Sequence, residues 1–320
     1  MASDIHHSVQ EILEDVRAMR PMGGSAYGYC TAMAFKLIAL DASIKSTNRL
    51  FVALDQVSEK LLAEKPTMAT IHNAKWLIVE KTRHEGVTPD PESSRSAIIN
   101  RADLFIRQSE RAKARLGQVG SNLIEDGQTI MMHSFSQSLM SVFEQAQQAG
   151  KSFEVICTES QPTRESQAAI HHLTKLGIRV TFVLDAAMAF VMPEADWCLA
   201  GADSISIDGA VANKIGTHQL ALLAQNFCKP LYVATEVIKL QRQTMEGHPI
   251  HLEQRPAIEL LDVVADFEFP ERIKVRHQFF DLTPQTYIRS LITEQGVISP
   301  LAIGSAWHDL EMLFDNVTSP

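Results

Sequence analysis

Four short segments of this 320-residue chain carry side chains able to do chemistry. The first is MMHSFSQS, where His133, Ser134, Ser136 and Ser138 follow a predicted strand and open a helix. A histidine beside hydroxyls suggests Ser-His-Asp hydrolysis, with Asp185 or Asp203 as the third member. The G-x-S-x-G elbow is absent, however, and hydroxyls at a helix start ordinarily cap it. The second is TESQPTRES, which places Glu159, Gln161 and Arg164 after another strand, with Pro162 setting the helix entry. Arg164 is either an anion contact or a solvated first-turn residue.

The third segment, AGADSISIDGAVANKIGTHQLALLAQNF, runs from 200 to 227. It is expected to end a strand at Asp203, turn at Asp208-Gly209 and begin a helix between Asn213 and Thr217. A helix N-terminus offers free N–H groups and partial positive charge, so Asn213, Lys214, Gly216 and Thr217 can cradle a phosphate. An ordinary helix start with a nearby lysine reads the same way. Asp203 is a functional carboxylate or a cap. The fourth segment, MRPMGGSAYGYC, sets Arg20, Gly23, Gly24 and Ser25 ahead of a helix. Its glycines permit close backbone approach to a ligand, and Arg20 reaches toward phosphate. No strand precedes it, which excludes a dinucleotide fingerprint.

Two textures position these segments. Residues 9 to 82 carry apolar residues at helical spacing, as in VQEILEDVRAM and LFVALDQVSEKLLAE. PDPESSRS, from Pro89 to Ser96, is a turn-rich break, and a long amphipathic helix then runs toward residue 119. After Asp126-Gly127 come short strands, TIMMHSF, FEVICTES, RVTFVLD, DWCLAGAD and PLYVATEV. Between them lie the helical stretches SLMSVFEQAQQAG, RESQAAIHHLTKLG, AAMAFVM and THQLALLAQNF. Strands alternating with helices predict a doubly wound parallel sheet, whose ligands bind outside the strands' carboxyl ends. The expected fold is α/β, with a helical domain over 1–120 and a sheet domain over 121–320.

Composition narrows the class. An apolar share of 45% and a charged share of 21% are those of a globular chain. No apolar run approaches the length needed to span a bilayer, and the polar start MASDIHHSVQ is no signal peptide, so a soluble, cytoplasmic protein is expected. The net charge of −9 argues against duplex nucleic acid. Residues 1 to 120 hold 16 Lys and Arg against 14 Asp and Glu, whereas the remainder holds 13 against 24, an asymmetry that focuses a small anion at the junction or simply decorates the surface. Cys30, Cys157, Cys198 and Cys228 have no metal-ligand spacing, and the twelve histidines form no H-E-x-x-H. No metal and no cofactor are expected.

NKIGT, with GAD, TESQP and LDAAMAF upstream, resembles the family shared by the alpha, beta and delta subunits of eukaryotic translation initiation factor 2B and by sugar-phosphate isomerases. Those isomerases act on methylthioribose-1-phosphate and ribose-1,5-bisphosphate. The resemblance runs from about residue 10 to 305 and includes FFDLTPQTYIRSLITEQGVISP. It implies a Rossmann-like C-terminal domain, a cleft taking a phosphorylated sugar or nucleoside monophosphate, and a homodimer through the C-terminal domains.

The isomerases place a Cys directly after the His of the first segment and an Asp in GAD. Here those positions are Ser134 and Asp203. A hydroxyl is a far weaker acid than a thiol, whose pKa is about 8.5. Asn213 and Lys214 match both branches as phosphate ligands, while Gln161 and Lys65 stand where isomerases have Arg. HSFSQSLMSVF, TESQP and LDAAMAFVM look like the alpha subunit, although Asp203 departs from its usual Glu. The expected function is therefore alpha-subunit-like: ligand binding with a regulatory output, possible initiation-factor partners and no turnover. The alternative is an aldose-1-phosphate to ketose-1-phosphate isomerase using Asp203 and Ser134, with Arg20, Gly24, Ser25, His133, Ser136, Gln161, Arg164, Asn213 and Lys214 around the ligand.

Overall fold

The computed structural model describes residues 8–86, 91–256, 272 and 274–315. Its first part is helical. Ser8 and Glu11 close a capping box on α1 (Val9–Arg17), bonding the orphan N–H groups reciprocally. Helix α2 (Gly24–Leu40) is apolar on nearly every side and lies at the centre, because only burial on all faces suits such a helix. Helix α3 (Thr47–Glu64) is capped by Ser46. Helix α4 (Ala69–Ala74) passes through a π-helical stretch, Lys75–Glu80, into α5 (Lys81–His84).

Helix α6 (Pro91–Ser121) spans 31 residues, about 46 Å at 1.5 Å per residue. The predicted break at 89–96 is thus corrected over 91–96: Pro91 occupies the first helical position, where its missing N–H costs nothing. Pro89 and Asp90 lie outside the described residues.

The second part is a sheet of seven strands. β1 (Thr129–Met132), β2 (Glu154–Thr158), β3 (Arg179–Val183), β4 (Trp197–Ala200), β7 (Leu231–Ala234) and β9 (Ser290–Thr293) are parallel, and β10 (Gly296–Ile298) closes one edge antiparallel to β9. The order is β10-β9-β7-β4-β1-β2-β3. Helices α7 (Gln137–Gln148), α8 (Ser166–Lys175), α9 (Met188–Val191), α10 (Thr217–Asn226) and α11 (Ile303–Asp315) follow or connect the strands.

Successive strand residues enter different cores, as burial on both faces requires. Met131, Cys198 and Val233 join the core of α2 and α3, whereas Ile130, Met132 and Leu199 join that of α7. The helical part and one sheet face therefore share one continuous core. The chain leaves β1 toward β2 on one side and β4 lies on the other, so the topological switch point falls between β1 and β4.

A second sheet, β5 (Ser204–Ile205), β6 (Val211–Lys214) and β8 (Phe280–Thr283), is antiparallel. It corrects two expectations. Asp203 lies in the loop after β4, three residues past Ala200, and its N–H donates to Ala212 O at 2.9 Å. Asn213 and Lys214 lie on β6, paired with Asp281 and Phe280, and not at the helix start, which falls at Thr217, the last residue of the expected span.

Candidate active site

A cavity of about 520 Å³ opens at the carboxyl ends of β1, β2 and β4 and is roofed by the start of α2. Arg20, Lys65, Arg164 and Lys214 face Glu165, Asp203 and Glu253 across it, with Tyr27, Phe279 and Phe280 as aromatic walls. Three residues on this wall, Met19, Ser134 and Arg164, take positive φ angles of 54°, 72° and 51°. Such conformations cost energy in non-glycine residues and concentrate where side chains are held for function.

Ser134 directly follows the histidine after β1. Its N–H donates to Ser160 Oγ at 2.8 Å, and its hydroxyl donates to Glu165 Oε1. Glu165 Oε2 accepts from Thr163 Oγ1 at 3.0 Å and pairs with Lys214 Nζ at 3.1 Å. Lys214 is itself buried, with Nζ 3.2 Å from the Phe279 ring centroid. Burial pulls its pKa down, opposed by Glu165 and then Asp203. The Asp203 carboxyl is pushed up to about 6, first by burial; Lys239 and Lys214 oppose the rise, and Glu165 and Glu253 add to it.

Helix α2 begins at Gly24 behind an N-cap, Gly23, that provides no side-chain hydrogen bond. Its first N–H groups therefore stand at the cavity edge beside Arg20, which is paired with Asp15 at 2.5 Å. Ser25 donates to Glu236 Oε1 at 2.8 Å, and Glu236 also accepts from Ser138 Oγ at 2.9 Å and pairs with Lys239 at 3.0 Å. Burial raises the Glu236 carboxyl, but Lys239 and these donors outweigh it and hold the pKa low. Glu236 thereby ties the starts of α2 and α7 together.

Of the residues singled out in the sequence, the fold brings Ser134, Asp203, Lys214, Arg20 and Arg164 to one cavity and sets Gly24 and Ser25 at its rim. Four others stand behind it. His133 Nε2 donates to Ile215 O at 2.7 Å, Nδ1 lies 2.7 Å from Thr158 Oγ1, and burial lowers the ring's pKa against the opposing pull of Asp185. Ser136 caps α7. Gln161 donates its N–H to Asp185 Oδ2 at 2.8 Å, and Asn213 Nδ2 donates to Thr217 Oγ1 at 2.9 Å.

The phosphate cradle expected at the start of α10 is already filled. Asp281 Oδ2 accepts from the N–H groups of Gly216 at 2.8 Å and His218 at 3.0 Å. Gly216 takes φ +102°, and a Cβ there would stand 2.8 Å from His133 Nε2. Sequence reading missed Glu165, Glu236, Tyr27, Glu253 and the Phe279-Phe280 wall; Glu165 alone had a signal, a carboxylate at the head of a helix following a strand. No group of side chains among the described residues is arranged to hold a metal, and no described helix is long and apolar enough to cross a membrane.

The pattern of the Initiation factor 2 subunit family matches residues 22–300. The chain is 34% identical over 303 residues to the ribose 1,5-bisphosphate isomerase of Pyrococcus furiosus, covering 94% of each. It is 33% identical to the Methanocaldococcus jannaschii protein of the same name, over 96% of this chain and 95% of that one. The crystal structure of the Pyrococcus horikoshii OT3 translation initiation factor eIF-2B superposes with a TM-score of 0.77 at 31% identity, covering 92% of this chain and 98% of that one. These relatives correct the expectation of a regulatory, alpha-subunit-like protein: matches over nearly the whole chain bear the name of an enzyme.

Proposed function

Because the chain belongs to the Initiation factor 2 subunit family, we propose that it is a sugar-phosphate isomerase of the ribose 1,5-bisphosphate type, converting an aldose 1-phosphate to the 2-ketose. The observation that carries this reading is Asp203, a carboxyl pushed up to about 6, set in the same cavity as Lys214, Arg20 and Arg164. An acid that exchanges its proton near neutrality, beside cations for a phosphate, is what isomerisation of a phosphorylated sugar needs.

The phosphate on C1 locks the sugar ring, so the ring oxygen must gain a proton as its bond to C1 breaks. Asp203 supplies that proton and later removes one from the C2 hydroxyl. The conversion oxidises C2 and reduces C1 within one molecule, so no external electron acceptor is needed. One phosphate rests on the free N–H groups of Gly24 and Ser25 with Arg20, as an uncapped helix start favours. Arg164 and Lys214 face the other. Ser134 orients the substrate and does not itself exchange protons, because its hydroxyl is too weak an acid.

The reading includes a homodimer through the sheet. β3 is an edge strand; Phe182 on it, Leu184 just after it and Phe190 on α9 are 53%, 57% and 82% exposed. Exposed apolar side chains on and after an open edge strand suit the same face of a second copy.

The test is incubation of the protein with ribose 1,5-bisphosphate, followed by carbon NMR for the ketone of ribulose 1,5-bisphosphate. Appearance of the ketone at a rate proportional to protein is expected. A protein that the sugar stabilises against heat while leaving the sugar unchanged overturns the reading.

A further inference from the structure

We propose that Glu165 is a catalytic residue of this chain, the base that carries the substrate's C2 proton to C1 while Ser134 and Lys214 hold its two oxygens. The inference rests on the isomerase reading and deepens it by assigning the proton carrier that Asp203 alone does not provide.

Geometry is the first support. Glu165 lines the cavity, its side chain is 22% exposed, and it immediately precedes α8. Its side chain makes no cap bond to the first N–H groups of that helix. Its oxygens are turned instead toward Ser134 on one side and toward Thr163 and Lys214 on the other. A fixed carboxylate with its counter-charge in place is a positioned base.

Chemistry is the second. Isomerisation needs two proton exchanges, one at the oxygens and one at the carbons, and each needs its own group. Asp203 arrives after β4 and Glu165 after β2, so two of the cavity's three carboxyls come from the ends of different strands, and both act on Lys214. A serine hydroxyl, unlike a thiol, gives up its proton too reluctantly to serve as the second group. The carboxylate bonded to Ser134 is the base available at that place.

The step balances. As the bond from C1 to the ring oxygen breaks, its electron pair stays on the oxygen, which takes the Asp203 proton. The C2–H pair becomes the C1=C2 double bond while Glu165 takes that proton. The O2–H pair then becomes the C2 carbonyl as Asp203 recovers a proton, and C1 receives the proton held by Glu165. Both carboxyls end as they began, with no oxidant or reductant consumed.

The experiment compares wild type with Glu165→Gln and Ser134→Ala, using ribose 1,5-bisphosphate in water and in D2O. Wild type is expected to place solvent deuterium at C1 in part of the product. Glu165→Gln is expected to lose about 100-fold or more in turnover while the sugar still raises its Tm, and Ser134→Ala to lose only about 10-fold. Should Glu165→Gln unfold, Glu165→Asp, which keeps the carboxylate but draws it back by one carbon, is measured in its place, with the same loss of turnover expected. Glu165→Gln within threefold of wild type overturns Glu165 as the carrier while the isomerase reading stands. A wild type without turnover overturns both.

Discussion

Gly24 and Asp203 approach so closely that a Cβ on the glycine would stand 3.2 Å from Asp203 Oδ1. The start of α2 and the loop after β4 are 179 residues apart in sequence, and their contact puts the uncapped helix start beside the Asp203 carboxyl. Gly24→Ala is expected to displace that carboxylate by a few tenths of an ångström. Turnover should fall roughly 10-fold with little change in Tm, because small misplacements of reacting groups cost rate before stability. Steady-state kinetics beside a thermal melt checks this, and an unchanged kcat would remove the contact from the mechanism.

The Asp203 pKa gives the pH dependence its sign. The acid form acts first, so kcat/KM should decline as pH rises through about 6, and Asp203→Asn should abolish turnover. A rate still climbing between pH 6 and 8 would contradict that role.

The same group costs stability. Between its ordinary value of 3.8 and about 6, the folded chain keeps a proton that the unfolded chain has released, so Asp203 makes stability fall as pH rises through that window. At pH 7 the penalty is nearly complete, on the order of 3 kcal/mol. Asp203→Asn should therefore raise Tm at pH 7 but not at pH 3.5, a contrast that calorimetry at the two pH values resolves.

Asp281 acts as a built-in anion for α10. Asp281→Ala removes the acceptor for the Gly216 and His218 N–H groups, at an expected cost of about 1–2 kcal/mol in denaturant unfolding. The vacated helix start should then gain stabilisation from inorganic phosphate that exceeds the wild-type response. Equal responses would mean that the Asp281 bonds do not block an anion.

Phe190, at 82% exposure, is the most exposed of the large apolar side chains described. Phe190→Glu should shift native mass spectra from dimer to monomer while leaving the monomer's circular dichroism unchanged, since the side chain contributes little to its own core. A dimer that persists would place the interface elsewhere.

The parallel sheet was legible because its signals are local. TIMM, EVICT, WCLA and LYVA are short apolar runs, each separated from the next by a helix-length segment, and strand and helix periodicity are read within a dozen residues. That Ser134, Arg164 and Asp203 line one cavity was legible for the same reason: they follow strand ends, where open sheets bind ligands. The second sheet was not legible, since Asn213 and Lys214 become a strand only by pairing with Asp281 and Phe280, far along the chain. That pairing moved Lys214 from an expected helix start to the Glu165 carboxylate and delivered Asp281 to the helix start instead. Residue types and their order determined which acids, hydroxyls and cations the molecule owns. Tertiary packing alone decided which carboxyl is buried enough to hold a proton near neutrality and which carboxylate receives the serine, because burial and ion pairing depend on neighbours that sequence distance does not reveal.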